Sequence, residues 1–223
     1  MKDLKFDHFK QVIINPYDSR VVGYEYFTKP IIDNRVLSFS DLKKQLEKEH
    51  VNLEMFERNV LHSILTTTPI KDNNLSKNFI NVSAKSTLFG LEPVLIKQIP
   101  NIVLEIDNEI FLEMENNKSI KEKIELFRYF NIDLALDNHL PNKTSLDSIK
   151  EFSYLKFSET YLEQIIQKIS RENFQNWLHK LKSNDINVIV TKVEKHNTLK
   201  LCSDFLLLTQ GNAINKVSKI NKY

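Results

Sequence analysis

Five polar side chains stand inside short apolar runs, where burial would take them out of water. Glu25 lies within Val21-Val22-Gly23-Tyr24-Glu25-Tyr26-Phe27, and Asn81 within Phe79-Ile80-Asn81-Val82-Ser83. Glu105 follows Ile102-Val103-Leu104, Asp137 follows Leu134-Ala135-Leu136, and Lys156 sits in Tyr154-Leu155-Lys156-Phe157. A buried carboxylate is costly unless it is paired with a cation or holds a metal ion. For a single glutamate, a structural ion pair at a strand end is the simpler explanation. Repetition along the chain shifts the balance. Five runs that each deliver one polar group at or near a strand end describe a barrel whose active face is built from those ends.

The elements that must position these groups follow from periodicity. A first strand over 9–14 and a second over 21–27 flank the turn Asn15-Pro16-Tyr17-Asp18-Ser19-Arg20, close enough for an antiparallel hairpin. Ser40-Asp41 caps a helix to about His50, and a second helix spans 53–65 with Leu53, Phe56 and Val60 at core spacing. Strands are expected at 78–84, 102–106, 133–137, 154–157, 187–193 and 205–208. Between them come helices at 88–99 (interrupted near Pro93), at 118–130, from Ser145, and at 195–201. The stripe Tyr161, Leu162, Ile165, Ile166, Ile169 loses phase before Phe174, Trp177, Leu178, Leu181, which predicts two helices with Ser170 as a cap. Trp177 belongs to the core in this reading. Strand–helix alternation of this length predicts one (β/α) barrel over 1–215, with an unusual first strand pair and a basic, solvated tail over 216–223.

Composition narrows the class. A 41% apolar and 27% charged chain suits a soluble globular domain, and a formal net charge of +2 gives no push toward nucleic acid or an anionic membrane. One cysteine, Cys202, excludes an internal disulfide and fits a reducing compartment. No stretch is apolar enough for a signal peptide or a membrane span, so a cytoplasmic protein is expected. Glycine is scarce. The chain has three, where ordinary usage gives about fifteen, and no Gly-rich phosphate loop exists.

With these residues in place, the chain resembles the EAL domain, the family of cyclic di-GMP phosphodiesterases. The family's V-G-Y-E-A-L-x-R opening matches Val22-Gly23-Tyr24-Glu25-Tyr26-Phe27, in which only the glutamate of E-A-L survives. Its N-x-S is Asn81-Val82-Ser83, and its L-E-I-T-E is Leu104-Glu105-Ile106-Asp107-Asn108. Its L-D-D-F-G-T-G is Leu136-Asp137-Asn138-His139-Leu140-Pro141-Asn142, and the lysine of D-x-x-K is Lys156. Its A-E-G-V-E is Val190-Thr191-Lys192-Val193-Glu194. The resemblance runs from about Phe9 to about Gln210, with six motifs in order.

The resemblance implies the EAL fold, a modified (β/α) TIM-like barrel with one antiparallel strand. It also implies phosphodiester hydrolysis with one or two Mg²⁺ or Mn²⁺ ions, held by hard oxygen ligands that lower the pKa of a bound water. Glu25, Asn81, Glu105 and Asp137 match the family's primary metal ligands. Lys156 matches its lysine beside the attacked phosphate. Several positions depart. Asn138 replaces a second aspartate, and Thr191 replaces a glutamate with a group that carries no charge. Lys29 stands for a phosphate-holding arginine and lacks the bidentate fork. The family's functional glutamine falls on Leu207 at fixed register, or on Gln210 if about three residues are inserted. His139, where the family has phenylalanine, is expected to be a tolerated change in a disused loop.

These departures predict a catalytically inactive, single-domain EAL-like regulator. It would act by protein–protein interaction on an unidentified partner such as a transcription or motility regulator. The alternative is a cyclic di-GMP receptor, or a weak metal-dependent phosphodiesterase. In either case one weakly bound Mg²⁺ or Mn²⁺ is the most that the four unchanged ligand positions support. Residues 118–130 and 171–182 are the candidate partner faces.

Overall fold

The structure is a computed structural model that describes residues 5–32, 35–36, 39–48, 76–82, 85–97, 99–114, 116–139 and 146–220. The expected helix over 53–65, the start of the helix at Ser145 and most of the loop after His139 lie outside the described residues. The chain opens with β1 (Lys5–Asn15) and β2 (Arg20–Ile32), an antiparallel hairpin whose first strand is longer than the apolar pattern alone predicts. Asn15 Oδ1 accepts from Tyr17 N (3.0 Å) and Asp18 Oδ1 from Arg20 N (3.1 Å), which tightens the turn. The remaining barrel strands are β4 (Lys77–Val82), β5 (Ile102–Asp107), β6 (Asp133–Asp137), β7 (Tyr154–Ser158), β8 (Asn187–Thr191) and β9 (Leu208–Thr209).

From β2 to β9 every neighbouring pair is parallel, and β1 closes the ring antiparallel to both β2 and β9. This is the eight-stranded barrel with one antiparallel strand expected from the alternation and the front hairpin. Two short strands extend the sheet: β3 (Arg35–Val36) beyond β2, and β10 (Ser218–Lys219) beyond β1. The tail thus pairs with β1 through Phe9 and Lys10, while Ser218 and Lys219 remain exposed.

Strand parity sorts the core into two layers. Ile13, Phe79, Val103, Ala135, Tyr154 and Ile189 fill the barrel interior, with Phe79 and Tyr154 edge to face at 5.1 Å. The alternate residues, among them Ile80, Leu104, Leu134, Leu155 and Val190, face the helices. A two-residue step along a strand keeps the same face. Phe79 therefore puts Asn81 on the interior face, Val103 puts Glu105 there, Ala135 Asp137, Tyr154 Lys156, and Ile189 Thr191. All five emerge at the carboxyl ends of the strands.

The helices match expectation with instructive exceptions. Glu159–Lys168 and Arg171–Lys182 are separate helices, and Ser170 Oγ accepts from Asn173 N as the cap of the second. Trp177 packs on Phe157 and Phe174, as a core residue should. A helix at Asn108–Met114 was not anticipated, because it follows β5 without any linker. Asp107 Oδ1 accepts from Glu109 N at 2.7 Å to start it, and Ile110, Phe111 and Met114 bury its inner face. The last barrel strand is Leu208–Thr209 rather than 205–208, since Phe205, Leu206 and Leu207 close the helix His196–Asp204.

At Gly23, β2 lies tight against β4: a Cβ there would lie 2.5 Å from Lys77 O and 2.9 Å from the Phe79 ring. Backbone cannot yield cheaply at a barrel seam. Gly23→Ala is expected to destabilise the protein by ~1–3 kcal/mol through overpacking. Urea unfolding that shows no loss would contradict the tight β2–β4 approach.

Candidate functional site at the barrel mouth

Lys156 is the centre of the mouth. Its ammonium donates to Glu25 Oε2 at 2.9 Å and to Glu105 Oε1, and both Lys156 and Glu105 are buried. Glu25 is held from three sides, because Asn81 Nδ2 donates to its Oε1 (3.0 Å) and Gln210 Nε2 to its Oε2 (2.7 Å). Asp137 stands half-buried beside them and accepts from Asn138 Nδ2 at 3.1 Å. Asn138 itself has a left-handed backbone (φ 53°), a conformation that asparagine tolerates.

The charges do not balance, with three carboxylates facing one ammonium in an enclosed space. Burial pushes Glu25 up, but attraction to Lys156 and the hydrogen bonds from Lys156, Gln210 and Asn81 outweigh it and hold its pKa below the usual value. Glu105 goes the other way. Complete burial, then the charge of Glu25, drive its pKa well above the usual value despite Lys156, and its Oε2 is buried without a hydrogen-bond partner. Asp137 is also raised, chiefly by burial. Burial alone would favour neutral Lys156, but Glu105, Glu25 and Asp137 together keep it firmly protonated.

The sequence-derived ligand set is therefore assembled in space: Glu25, Asn81, Glu105 and Asp137 come from β2, β4, β5 and β6, with Lys156 from β7. Three carboxylates and an amide oxygen suit a hard divalent cation by donor chemistry, and Glu105 Oε2 has no other partner. In the observed arrangement, however, Lys156 already serves Glu25 and Glu105. Among the described residues no group of three or more His, Cys, Asp or Glu side chains is set to hold a metal ion.

Other candidates fall at different distances from this cluster. Thr191 ends β8 at the same rim, half-buried and with no acidic function. Lys29, four residues beyond Glu25 on β2, lies over the stacked rings of Phe9 (4.9 Å) and Phe27 (5.9 Å). Of the two glutamine candidates, Gln210 is the one whose amide reaches Glu25, whereas Leu207 is buried in the outer core. The signal for it in the sequence was the Gln210-Gly211 pair. A Cβ at residue 211 would sit 2.2 Å from the backbone of Val193, so only glycine lets the chain turn there and aim Gln210 into the mouth.

His139, just after β6, is a buried side chain, edge-on to Phe111 at 5.8 Å, with its backbone N donating to Lys156 O at 3.1 Å. Burial pulls its pKa down to about 4, so the ring is neutral.

No protein-family model matches the chain, and no curated protein matches its sequence. Solved structures do match in fold. The EAL enzyme Bd1971 in its cAMP- and cyclic-di-GMP-bound form superposes with a TM-score of 0.73 at 17% identity, covering 97% of this chain and 62% of that one. The PaMucR phosphodiesterase in complex with c-di-GMP gives 0.74 at 12% identity, covering 97% and 92%. The Bacillus subtilis YkuI protein, with an EAL domain and in complex with substrate c-di-GMP and calcium, gives 0.68 at 18% identity, covering 100% and 56%. The chain thus has an EAL-like fold along its length, while spanning under two thirds of Bd1971 and of YkuI.

The charge imbalance generates a pH prediction. A raised folded-state pKa means that the Glu105 carboxyl favours folding when protonated, and this contribution is lost as pH climbs from the usual carboxylate value of 4.5 through the elevated one. Glu105→Gln keeps the shape and removes that titration. Relative to wild type, the variant's stability is expected to rise with pH across this window in urea unfolding series. A difference that stays flat from pH 4 to pH 9 would mean that Glu105 is comfortably ionised.

Proposed function

We propose that this protein is a catalytically inactive EAL-like regulator that works by binding another protein, with control of transcription or motility as its setting. The observation that carries this reading is Lys156, engaged as the shared counter-ion of Glu25 and Glu105. A lysine in that position is spoken for. The two positions that would add negative charge to the mouth, Asn138 and Thr191, carry none. Each missing acidic group in a metal–phosphate site removes about 3–4 kcal/mol of transition-state stabilisation, or on the order of 10³-fold in rate.

A second reading rests on its own observation. Gln210 reaches Glu25, and the polar ring of Glu25, Asn81, Glu105, Asp137 and Lys156 is complete, which supports a mouth that still receives cyclic di-GMP without cleaving it. Neighbours of the same fold were solved with that dinucleotide bound. Under this reading Lys29 would face a phosphate, and one divalent ion would bind weakly at the four oxygen donors.

Incubation with cyclic di-GMP in millimolar Mg²⁺ or Mn²⁺ is expected to release linear dinucleotide only at background. Turnover of roughly 1 per second or faster, ordinary for an enzyme, would overturn the inactive reading. Calorimetric titration with the dinucleotide separates the remaining two: no heat supports the pure protein binder, and tight binding without turnover supports the receptor. Millimolar Mn²⁺ is expected to raise the melting temperature slightly by relieving the carboxylate excess. No shift at all would argue against even one weak metal site.

A further inference from the structure

The side-chain donors of the polar ring are turned on its own carboxylates. Lys156 Nζ reaches Glu25 Oε2 at 2.9 Å and also Glu105 Oε1. Asn81 Nδ2 takes the other oxygen of Glu25 at 3.0 Å, and Gln210 Nε2 adds a second bond to Oε2 at 2.7 Å. Asn138 Nδ2 serves Asp137 at 3.1 Å. Both oxygens of Glu25 therefore already accept from N–H groups, brought from β4, from β7 and from the residue after β9. Facing a carboxylate, the Asn81 amide presents its nitrogen, so in this contact it offers no oxygen to a metal ion.

Lys156 has little freedom to leave. Its side chain is 2% exposed, and the ammonium stands 5.9 Å from the centre of the Phe79 ring, at the top of the apolar layer that fills the barrel. His139 N donates to Lys156 O at 3.1 Å and holds the strand at this height. Retreat downward would set a bare ammonium among Phe79 and Tyr154, and departure upward would leave Glu25 and Glu105 without their cation. A hard divalent ion takes carboxylate oxygens at about 2.0–2.6 Å. An ion on the two oxygens that Lys156 already holds would press a double positive charge against the ammonium.

We infer that Lys156 is the built-in cation of the mouth and excludes a divalent ion from the Glu25–Glu105 pair. The oxygens it leaves to an ion are those of Asp137 and Glu105 Oε2, the latter buried and without a partner. Binding by the native chain is therefore expected to be weak. The inference deepens the inactive reading and rests on it for the role of Lys156 as a committed counter-ion. It adds that the lysine and the metal compete for the same two carboxylates. An ion pair with a structural duty only would share these distances but behave differently: its loss would cost stability, and no metal would restore it.

Lys156→Met keeps the aliphatic stem and removes the charge. Wild type, Lys156→Met and the double variant Lys156→Met/Glu105→Gln are titrated with Mn²⁺, with the free-ion electron paramagnetic resonance signal reporting binding and thermal melts reporting stability. In chelator, Lys156→Met is expected to melt below wild type, since two carboxylates have lost their cation. It is expected to bind Mn²⁺ at least about tenfold more tightly than wild type, with a larger rise in melting temperature on adding the ion. If the variant is unfolded in chelator, recovery of the native circular-dichroism spectrum with Mn²⁺ is the same result. The double variant is expected to fold without metal and to lose the gained affinity. Mn²⁺ affinity no better than wild type, a variant that Mn²⁺ neither binds nor refolds, or a double variant that keeps the gain would each overturn the assignment. Lys77→Met breaks the pair with Asp133 at the other end of the barrel, and is expected to lose stability with no gain in affinity. An equal gain there would make the effect one of net charge, and would also overturn it. Turnover of cyclic di-GMP by the wild type would defeat the inactive reading, whereas equal Mn²⁺ affinities without turnover defeat only the competition, so the two failures are separable.

Discussion

A buried ammonium shared between a buried carboxylate, Glu105, and a half-buried one, Glu25, is the constraint around which this barrel is arranged. Removing one partner of such a set leaves an uncompensated charge, which costs about 3–5 kcal/mol, so the three strands that supply Glu25, Glu105 and Lys156 are tied to one another. The tie spans the ring. Glu25 comes from β2, beside the antiparallel strand that closes the barrel, and Lys156 from β7 on the far side. Gln210 adds a second link across the closure, from the end of β9 to the same glutamate. The interior layer beneath, with Phe79 and Tyr154 edge to face, sets the height at which these polar groups emerge.

The backbone that carries this arrangement manages with little glycine. At five of the seven left-handed non-glycine positions among the described residues it uses Ser19, Asn101, Asn131, Asn138 and Asp185, whose short polar side chains tolerate the conformation; Lys192 and Leu206 are the other two. Glycine is kept where space is the issue, as at Gly23 against Lys77 and at Gly211 against Val193. Elsewhere side chains take over structural duties. Glu159 accepts from the backbone amides of Glu194 (3.1 Å) and Lys195 (3.2 Å), and so starts the helix His196–Asp204, whose own N-cap makes no side-chain bond. At the amino end of the barrel, Lys77 and Asp133 pair at 2.7 Å, and Ser153 and Arg128 complete the network.

The two ends of the barrel therefore carry different kinds of information. The mouth holds a polar ring whose cation, Lys156, is internal to it. The opposite end holds the exposed Leu206 on a left-handed backbone that disfavours it, beside an apolar cleft.

How much of this was legible beforehand depends on the range of the interaction. Local periodicity determined the barrel class, the front hairpin, the break at Ser170 and the core role of Trp177, since each rests on residues within a turn or a strand of one another. The polar group in each apolar run also announced the site residues, because alternation forces Asn81, Glu105, Asp137 and Lys156 to the interior face. Contacts between distant elements stayed hidden. That Lys156 would serve Glu25 and Glu105 at once depends on barrel closure, and no spacing in the chain encodes it. Gln210 rather than Leu207 reaches the mouth because Phe205–Leu207 is spent on closing a helix, a use of apolar residues that resembles a strand when read along the chain. The burial of His139 stayed hidden for the same reason: its neighbour Phe111 and its bond to Lys156 come from other elements, and only packing brings them to it.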